Sequence, residues 1–274
     1  MRKLLLITGI CLVLLHPAAA QLLPPNDAGV TMGHVHLNVR DVAAHKKFWV
    51  EEIGATPIQL GRLEGVHVPG LQVFFRQREP TGTVAGSVIN HLGIKVLKLD
   101  VLLERFRAAG TKFEEPWIGR ENTPQVYVIG PDEFRMEIVE DPNLPAPVVS
   151  HHLHYFLADP VAVKKWYVET LLVEPTMRGP YESGDVPGMN LTFAPNRGRR
   201  GAAPPPTVGT QGRVLDHIGF EVKNLEAYCR RLEQAGIKFD SPYQRRENLG
   251  IATAFFTDPW GTYIELTEGL DQVR

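Results

Sequence analysis

The sequence predicts an α+β protein of two tandem halves, each made of two βαβββ modules. Three observations carry this: a duplicated block that aligns without a gap, an alternating strand at the start of four segments, and helices bounded by cap residues. Laying residue 91 on residue 217 matches "HLGIKVLKLDVLLERFRAAGTKFEEP" to "HIGFEVKNLEAYCRRLEQAGIKFDSP". A shift of 118 lays His34, Asp41, Val68-Pro69-Gly70 and Phe75 on His152, Asp159, Val186-Pro187-Gly188 and Phe193. Such a repeat governs every local reading, because each unit buries its apolar face against a neighbour.

Taken in order, "VHLNV" alternates polar and apolar residues, and Asp41 is placed to cap the helix that puts Phe48, Trp49 and Ile53 on one face. The second and fourth helices end at Gly110 and Gly236, where a left-handed residue closes a helix. Asp159-Pro160 reads as an N-cap followed by proline at the first helical position. The β-type runs "LQVFF", "QVYVIG", "MNLTFA" and "IATAFF" follow the helices. The Pro-rich "DPNLPAPVVS" at 141–150 is the natural joint. The expected domains are therefore 30–141 and 151–270, with 142–150 as linker. "PNRGRRGAAPPPTVGTQG" at 195–212 is a loop by composition.

Met1, Arg2 and Lys3 precede an apolar run from Leu4 to Leu15, and small residues stand at Ala18 and Ala20. That order reads as a secretory signal peptide over 1–20. Twelve apolar residues fall short of a membrane span. A periplasmic or secreted protein with no stable membrane partner is expected, as monomer or homodimer. After that leader Cys229 stands alone, so no intramolecular disulfide supports the fold. The net charge of −2 and pI near 6.6 give no electrostatic footprint for nucleic acid. A small-molecule substrate is the expected partner.

Residues two apart on a strand share a face. His34 and His36 oppose Val35 and Leu37; His91 and Gly93 oppose Leu92 and Ile94; His152 and His154 oppose Leu153 and Tyr155; His217 and Gly219 oppose Ile218 and Phe220. The apolar face belongs to the covering helix, so the histidines of all four first strands line whatever concavity the sheet encloses. Glu137 and Glu265, each between apolar neighbours, alternate onto the same inner face. One such histidine is ordinarily just a satisfied polar residue. Six residues repeated in kind, order and facing point instead to a metal site: two imidazoles and a carboxylate with open positions suit Fe(II), Mn(II) or a similar divalent ion. His36 and His154 lie about 6.6 Å along the strand from His34 and His152. They serve as hydrogen-bond partners to the ligands, as ligands in their place, or as rim histidines.

Together "GHVHLNVRDV", "NHLGIKV", "HHLHYFLADP", "DHIGFEV" and "DPWGTYIEL" resemble the vicinal oxygen chelate superfamily, the group of glyoxalases, bleomycin-resistance proteins and extradiol dioxygenases. The resemblance spans nearly the whole sequence after the leader. It implies two tandem cup-shaped domains, each holding a divalent metal such as Fe(II), Mn(II) or Zn(II) through the histidines of two first strands and the glutamate of a last strand. Carried over, the ligand sets are His34, His91 and Glu137 in one half, and His152, His217 and Glu265 in the other.

Departures also matter. Phe255 stands where the extradiol enzymes have a tyrosine, and Arg246 stands near the place of a helper histidine. "LQVFF" and "MNLTF" lack the carboxylate that glyoxalases add as a fourth ligand, Gln72 and Asn190 being the nearest substitutes. The twin "REN" loops offer Arg120 with Asn122 and Arg246 with Asn248 to orient an anionic substrate, or else pair within the repeat. His67 is a weak candidate base, matched in the repeat by Asp185.

The expected function is an exported, metal-dependent lyase, isomerase or epimerase acting on a small oxygen-rich compound. The rivals are a ring-cleaving dioxygenase and a binding protein of the bleomycin-resistance kind.

Overall fold

The computed structural model describes residues 22–119, 122–197 and 206–272, so the expected leader lies outside the described residues, as does Arg120. The first module runs β1 (Val30–Val39), α1 (Val42–Lys47, continued by a π turn at Phe48–Ile53), β2 (Thr56–Leu60), β3 (Leu63–Val68) and β4 (Leu71–Gln77). The second runs β5 (Ile89–Val96), α2 (Leu99–Ala109), β6 (Lys112–Phe113), β7 (Trp117–Ile118), β8 (Pro124–Ile129) and β9 (Arg135–Glu140). The third is β10 (Val148–Leu157), α3 (Pro160–Leu171), β11 (Glu174–Arg178), β12 (Tyr181–Val186) and β13 (Met189–Pro195). The fourth is β14 (Leu215–Val222), α4 (Leu225–Gln234), β15 (Ser241–Arg246), β16 (Ile251–Thr257) and β17 (Tyr263–Glu268).

The caps behave as their residue types require. Asp41 Oδ1 accepts from the amides of Ala43 and Ala44, and Asp159 Oδ1 from Ala162. Gly110 and Gly236 adopt φ of +77° and +89°.

The four modules form two large curled sheets, and the pairing crosses the halves. One sheet has the order β15-β16-β17-β14-β1-β4-β3-β2, joining the fourth module to the first. The other has the order β11-β12-β13-β10-β5-β9-β8-β6, joining the third to the second. We call them cup one and cup two. In both, the first strands of two modules run antiparallel at the centre: β1 against β14 with His34 opposite Gly219, and β10 against β5 with His152 opposite Gly93.

The expected division at 141–150 is therefore corrected. Residues 141–147 connect two modules of the same cup, and β10 already begins at Val148. The halves persist in the helical layer behind the sheets. Phe48 after α1 stacks on Phe106 of α2, with centroids 6.2 Å apart. Trp166 of α3 packs on Phe256 and Trp260 of the fourth module, and Tyr167 donates to Asp258 at 2.8 Å. Modules of one half thus pack together through the helical layer while each sheet joins modules of different halves, and one continuous apolar core runs through all four modules.

The cups meet through the repeated "VPG" turns. Pro187 O accepts from Met32 N, and Pro69 O from Ser150 N, both at 3.0 Å. Gly70 and Gly188 both have φ +91°, and a Cβ on Gly188 would stand 2.4 Å from Gly70 O. Only glycine fits both turns.

Glu221 of β14 ties down the C-terminal end of cup one, accepting from Thr267 Oγ1 and Gly269 N at 2.6 Å each and Leu270 N at 3.2 Å. Burial pushes its carboxyl up from 4.5 to about 7 against the pull of those bonds. The folded state therefore binds the proton more tightly than the unfolded chain. The stability this confers is fully present below pH 4.5 and is lost as pH rises toward 7. Thermal melts in chelator are expected to show Glu221→Gln flattening the decline between those limits, by at most about 1.4 kcal/mol per pH unit. A variant slope equal to that of the native protein would contradict this.

Candidate metal centres

Cup two gathers His91 of β5, Glu137 of β9 and His152 of β10. Parallel pairing sets Gly93 beside Glu137, and antiparallel pairing sets Gly93 opposite His152. The absent side chain at Gly93 is the seat of the His152 ring: a Cβ there would lie 2.0 Å from its Cε1. Three ligand atoms converge as a result. His91 Nε2 stands 2.9 Å and His152 Nε2 3.0 Å from Glu137 Oε2, with 3.2 Å between the two nitrogens.

Cup one repeats the arrangement with His34 of β1, His217 of β14 and Glu265 of β17. Gly219 seats the His34 ring, 2.0 Å separating a built Cβ from its Cε1. Glu265 Oε2 lies 2.9 Å from His34 Nε2 and 3.0 Å from His217 Nε2.

All six expected metal residues are thus brought together, but the sets exchange partners. His34 joins His217 and Glu265, and His91 joins His152 and Glu137. The physical reason is the sheet pairing, in which each first strand lies against the first strand of a module from the other half.

The protonation pattern tests whether these residues suit a metal. His91 Nδ1 donates to Asn90 Oδ1 at 2.8 Å, and His217 Nδ1 to Asp216 Oδ2 at 2.7 Å. A neutral imidazole that donates from Nδ1 has a bare lone pair on Nε2. In both cups the Nε2 position faces a carboxylate oxygen, a contact that only a proton or a metal ion between the two atoms makes favourable. One proton satisfies one such contact, whereas one metal ion satisfies all three ligand atoms. Bonds near 2.1 Å put adjacent ligands roughly 3.0 Å apart on an octahedron and about 3.4 Å apart on a tetrahedron. The separations fit.

The charge states agree in cup two. Burial holds His91 below its ordinary value and His152 well below it, against the pull of Glu137. Burial works on Glu137 in the opposite sense, but its bonds to His152 and His91 outweigh it and keep the carboxyl far below the usual range. Two neutral imidazoles and a carboxylate anion result. In cup one burial lowers His34, whereas His217 is raised because Asp216 and Glu265 together outweigh burial.

His36 and His154 take inner-face positions beside the triads rather than replacing His34 and His152. His154 packs against His91 with ring centroids 4.7 Å apart and planes tilted by 45°, and its nearest ligand atom lies within 4.8 Å of those of His91, Glu137 and His152. His36 sits likewise with His34 and His217, its ring 4.6 Å from that of His217. Neither ring nitrogen of His154 has a partner, and burial with the neighbouring His91 pushes its pKa down to about 3. It stays neutral and able to ligate.

The other candidates scatter. Arg246 reaches cup one and lines it, with Nε 3.4 Å from Thr253 Oγ1. Asn248 is exposed and lines neither cup. Asn122, at φ +59°, closes a turn onto Gly119 O instead of facing the cavity. His67 lies on β3 away from both triads, lining neither cup. Gln72 shares the inner face with His34, but its amide donates to Leu270 O at 3.3 Å. Asn190 is drawn to Asp185 at 2.5 Å.

Several functional positions had no place in the sequence reading. Asn90 and Asp216 fix the tautomers, and the signal for them was the residue immediately before each histidine in "NHLG" and "DHIG". Gln125 donates to the second oxygen of Glu137 at 2.9 Å. Tyr127 stands opposite Glu137 as Phe255 stands opposite Glu265, so cup two carries the tyrosine that cup one lacks.

The two hollows also differ. Cup two opens into a cavity of about 610 Å³ lined by Trp117, Tyr127, Arg178 and Tyr181 beside Glu137 and His154. Cup one holds about 200 Å³, walled by Leu60, Leu63, Phe74, Leu249 and Phe255.

Comparisons with known proteins agree with this architecture. Residues 149–266 match the model of the Glyoxalase/Bleomycin resistance protein/Dioxygenase superfamily. Glyoxalase I from Zea mays superposes with a TM-score of 0.68 at 16% identity, over 89% of this chain and 94% of that one. A "putative dioxygenase" from Bacillus subtilis superposes with a TM-score of 0.61 at 13% identity, over 87% and 84%. At such identities the likeness establishes the fold. No curated protein matches the sequence.

The seat of His152 gives a direct prediction. Gly93→Ala is expected to expel that imidazole, cost roughly 1–3 kcal/mol in chemical denaturation, and abolish metal uptake in cup two while cup one still loads. Elemental analysis showing unchanged metal content would contradict it.

Proposed function

We propose that the protein is a divalent-metal-dependent enzyme of the vicinal oxygen chelate kind, a lyase, isomerase or epimerase of a small oxygen-rich compound, with its chemistry in cup two. The observation that carries this reading is the convergence of His91 Nε2, His152 Nε2 and Glu137 Oε2 to within 3.2 Å of one another at the floor of a 610 Å³ cavity. A bound ion would supply Lewis acidity to two neighbouring substrate oxygens. The chain's own groups do the rest. Gln125 holds the free oxygen of Glu137 so that the other faces the histidines. Arg178 brings a positive charge to the same cavity, where an anionic substrate gains a partner. Trp117, Tyr127 and Tyr181 form walls that exclude water from one side. The leader-like residues 1–20 support export, and N-terminal sequencing of the protein recovered outside the cytoplasm would then begin at Gln21.

A second reading, ring-cleaving dioxygenation, draws support from Tyr127 beside Glu137. Oxygen uptake with a catechol panel under Fe(II) separates the two: none is expected for the lyase or isomerase, and uptake abolished by Tyr127→Phe would establish the dioxygenase.

The metal reading is tested by stoichiometry. Because the sites cross the halves, His34→Ala and His217→Ala are each expected to remove the same single ion, and the double variant no more. His34→Ala with His91→Ala is expected to remove both. Full metal content in all of these variants would overturn the reading.

A further inference from the structure

The two cups share ligand types but differ in what stands behind the ligands. In cup one the ring of His217 donates backward to a carboxylate, Asp216 Oδ2, at 2.7 Å. Asp216 is 4% exposed, and its other oxygen accepts from Asn38 Nδ2 at 2.8 Å and Gly212 N at 2.7 Å. It is held as a fixed anion. At the matching place in cup two, His91 donates to a neutral amide, Asn90 Oδ1, at 2.8 Å. That oxygen also accepts from Arg135 Nη1 at 2.8 Å, and the guanidinium lies 3.5 Å above the Tyr127 ring.

The backing of the two ions is therefore unlike in charge. Cup one sets two carboxylates, Glu265 and Asp216, around its histidines, and its arginines, Arg76 and Arg246, line the hollow, while the acceptor behind His217 is bonded by Asn38 and Gly212. Cup two sets one carboxylate, Glu137, against Arg178, which acts on His91, His152 and His154, and Arg135, which acts on His91 and His154. A carboxylate hydrogen-bonded behind a ligating imidazole raises its basicity and tightens metal binding, commonly by 10–100-fold. A neutral amide carrying an arginine withdraws electron density instead.

Resting on the metal reading above, we propose that Asp216 and the Asn90–Arg135 pair make the two sites unequal: cup one retains its ion, and cup two holds a looser ion that is the stronger Lewis acid. The placement matches the cavities, since the more electron-poor ion lies at the floor of the larger, aromatic-walled hollow where a substrate fits. Asp216 and Asn90 are positioning residues that act through His217 and His91.

The test is calorimetric titration of the metal-free full chain with cobalt(II) chloride. Two classes of site separated by at least about tenfold are expected, the tight class vanishing in His34→Ala and the loose class in His152→Ala. Asp216→Asn, which keeps the acceptor oxygen, is expected to weaken the tight class by about 10–100-fold. Asn90→Asp and, independently, Arg135→Gln are expected to tighten the loose class, a gain that a merely structural role does not produce. Two ions binding with one constant, or a tight class lost in His152→Ala, would overturn this inference while leaving the metal reading intact. A chain that binds no cobalt would overturn both.

Discussion

Everything in this molecule follows from one contact made twice: an imidazole lying on the bare backbone of a glycine across an antiparallel strand pair. His152 occupies the space over Gly93, and His34 the space over Gly219. The contact needs two different strands, one written H-x-H and one written H-x-G, meeting with the histidine of the first opposite the glycine of the second. Once they meet, the glutamate of the neighbouring parallel strand falls within hydrogen-bond reach of both histidines. The alternate apolar residues, such as Val35, Leu92, Leu153 and Ile218, are buried in the core. Neither triad arises within a single module.

Much of this is legible in the sequence, because period-two patterning assigns each histidine and glutamate to the inner face regardless of which modules pair. Partner choice is a different matter. The complementarity of H-x-H with H-x-G requires an odd module to meet an even one, which the contiguous pairing of first with second and the crossed pairing of first with fourth satisfy equally. The better signal lay in the joints. Residues 141–147, the shortest connection between modules, stay within one cup, whereas β4 and β5, like β13 and β14, lie in different sheets. A Pro-rich stretch reads as a boundary between domains, but here it turns at 142–143, bends through 145–147 into β10, and is held against cup two by hydrogen bonds such as Leu97 N to Pro147 O. Of the described REN residues, Arg246 reaches its cup, whereas Asn122 and Asn248 lie in turns.

Duplication followed by divergence explains why two similar cups have acquired different surroundings. The same register position is Tyr127 in one and Phe255 in the other, and the residue before the shared histidine is Asn90 in one and Asp216 in the other. Neither exchange disturbs the strand pairing, since both side chains lie beside the ligands rather than between the sheets and helices. The ligand set is held by backbone geometry, while the electronics and the hollow above it are free to vary. Helices packed within each half and sheets packed across halves make the four modules one cooperative body, and among the described residues no helix is long and apolar enough to cross a membrane.

Diffraction at the cobalt absorption edge from crystals grown with cobalt(II) tests the central claim most directly. The account predicts two anomalous peaks, one within bonding distance, near 2.1 Å, of His34, His217 and Glu265, and the other of His91, His152 and Glu137. Peaks coordinated by His34 with His91, or by His152 with His217, or the absence of a peak at both triads, would contradict it.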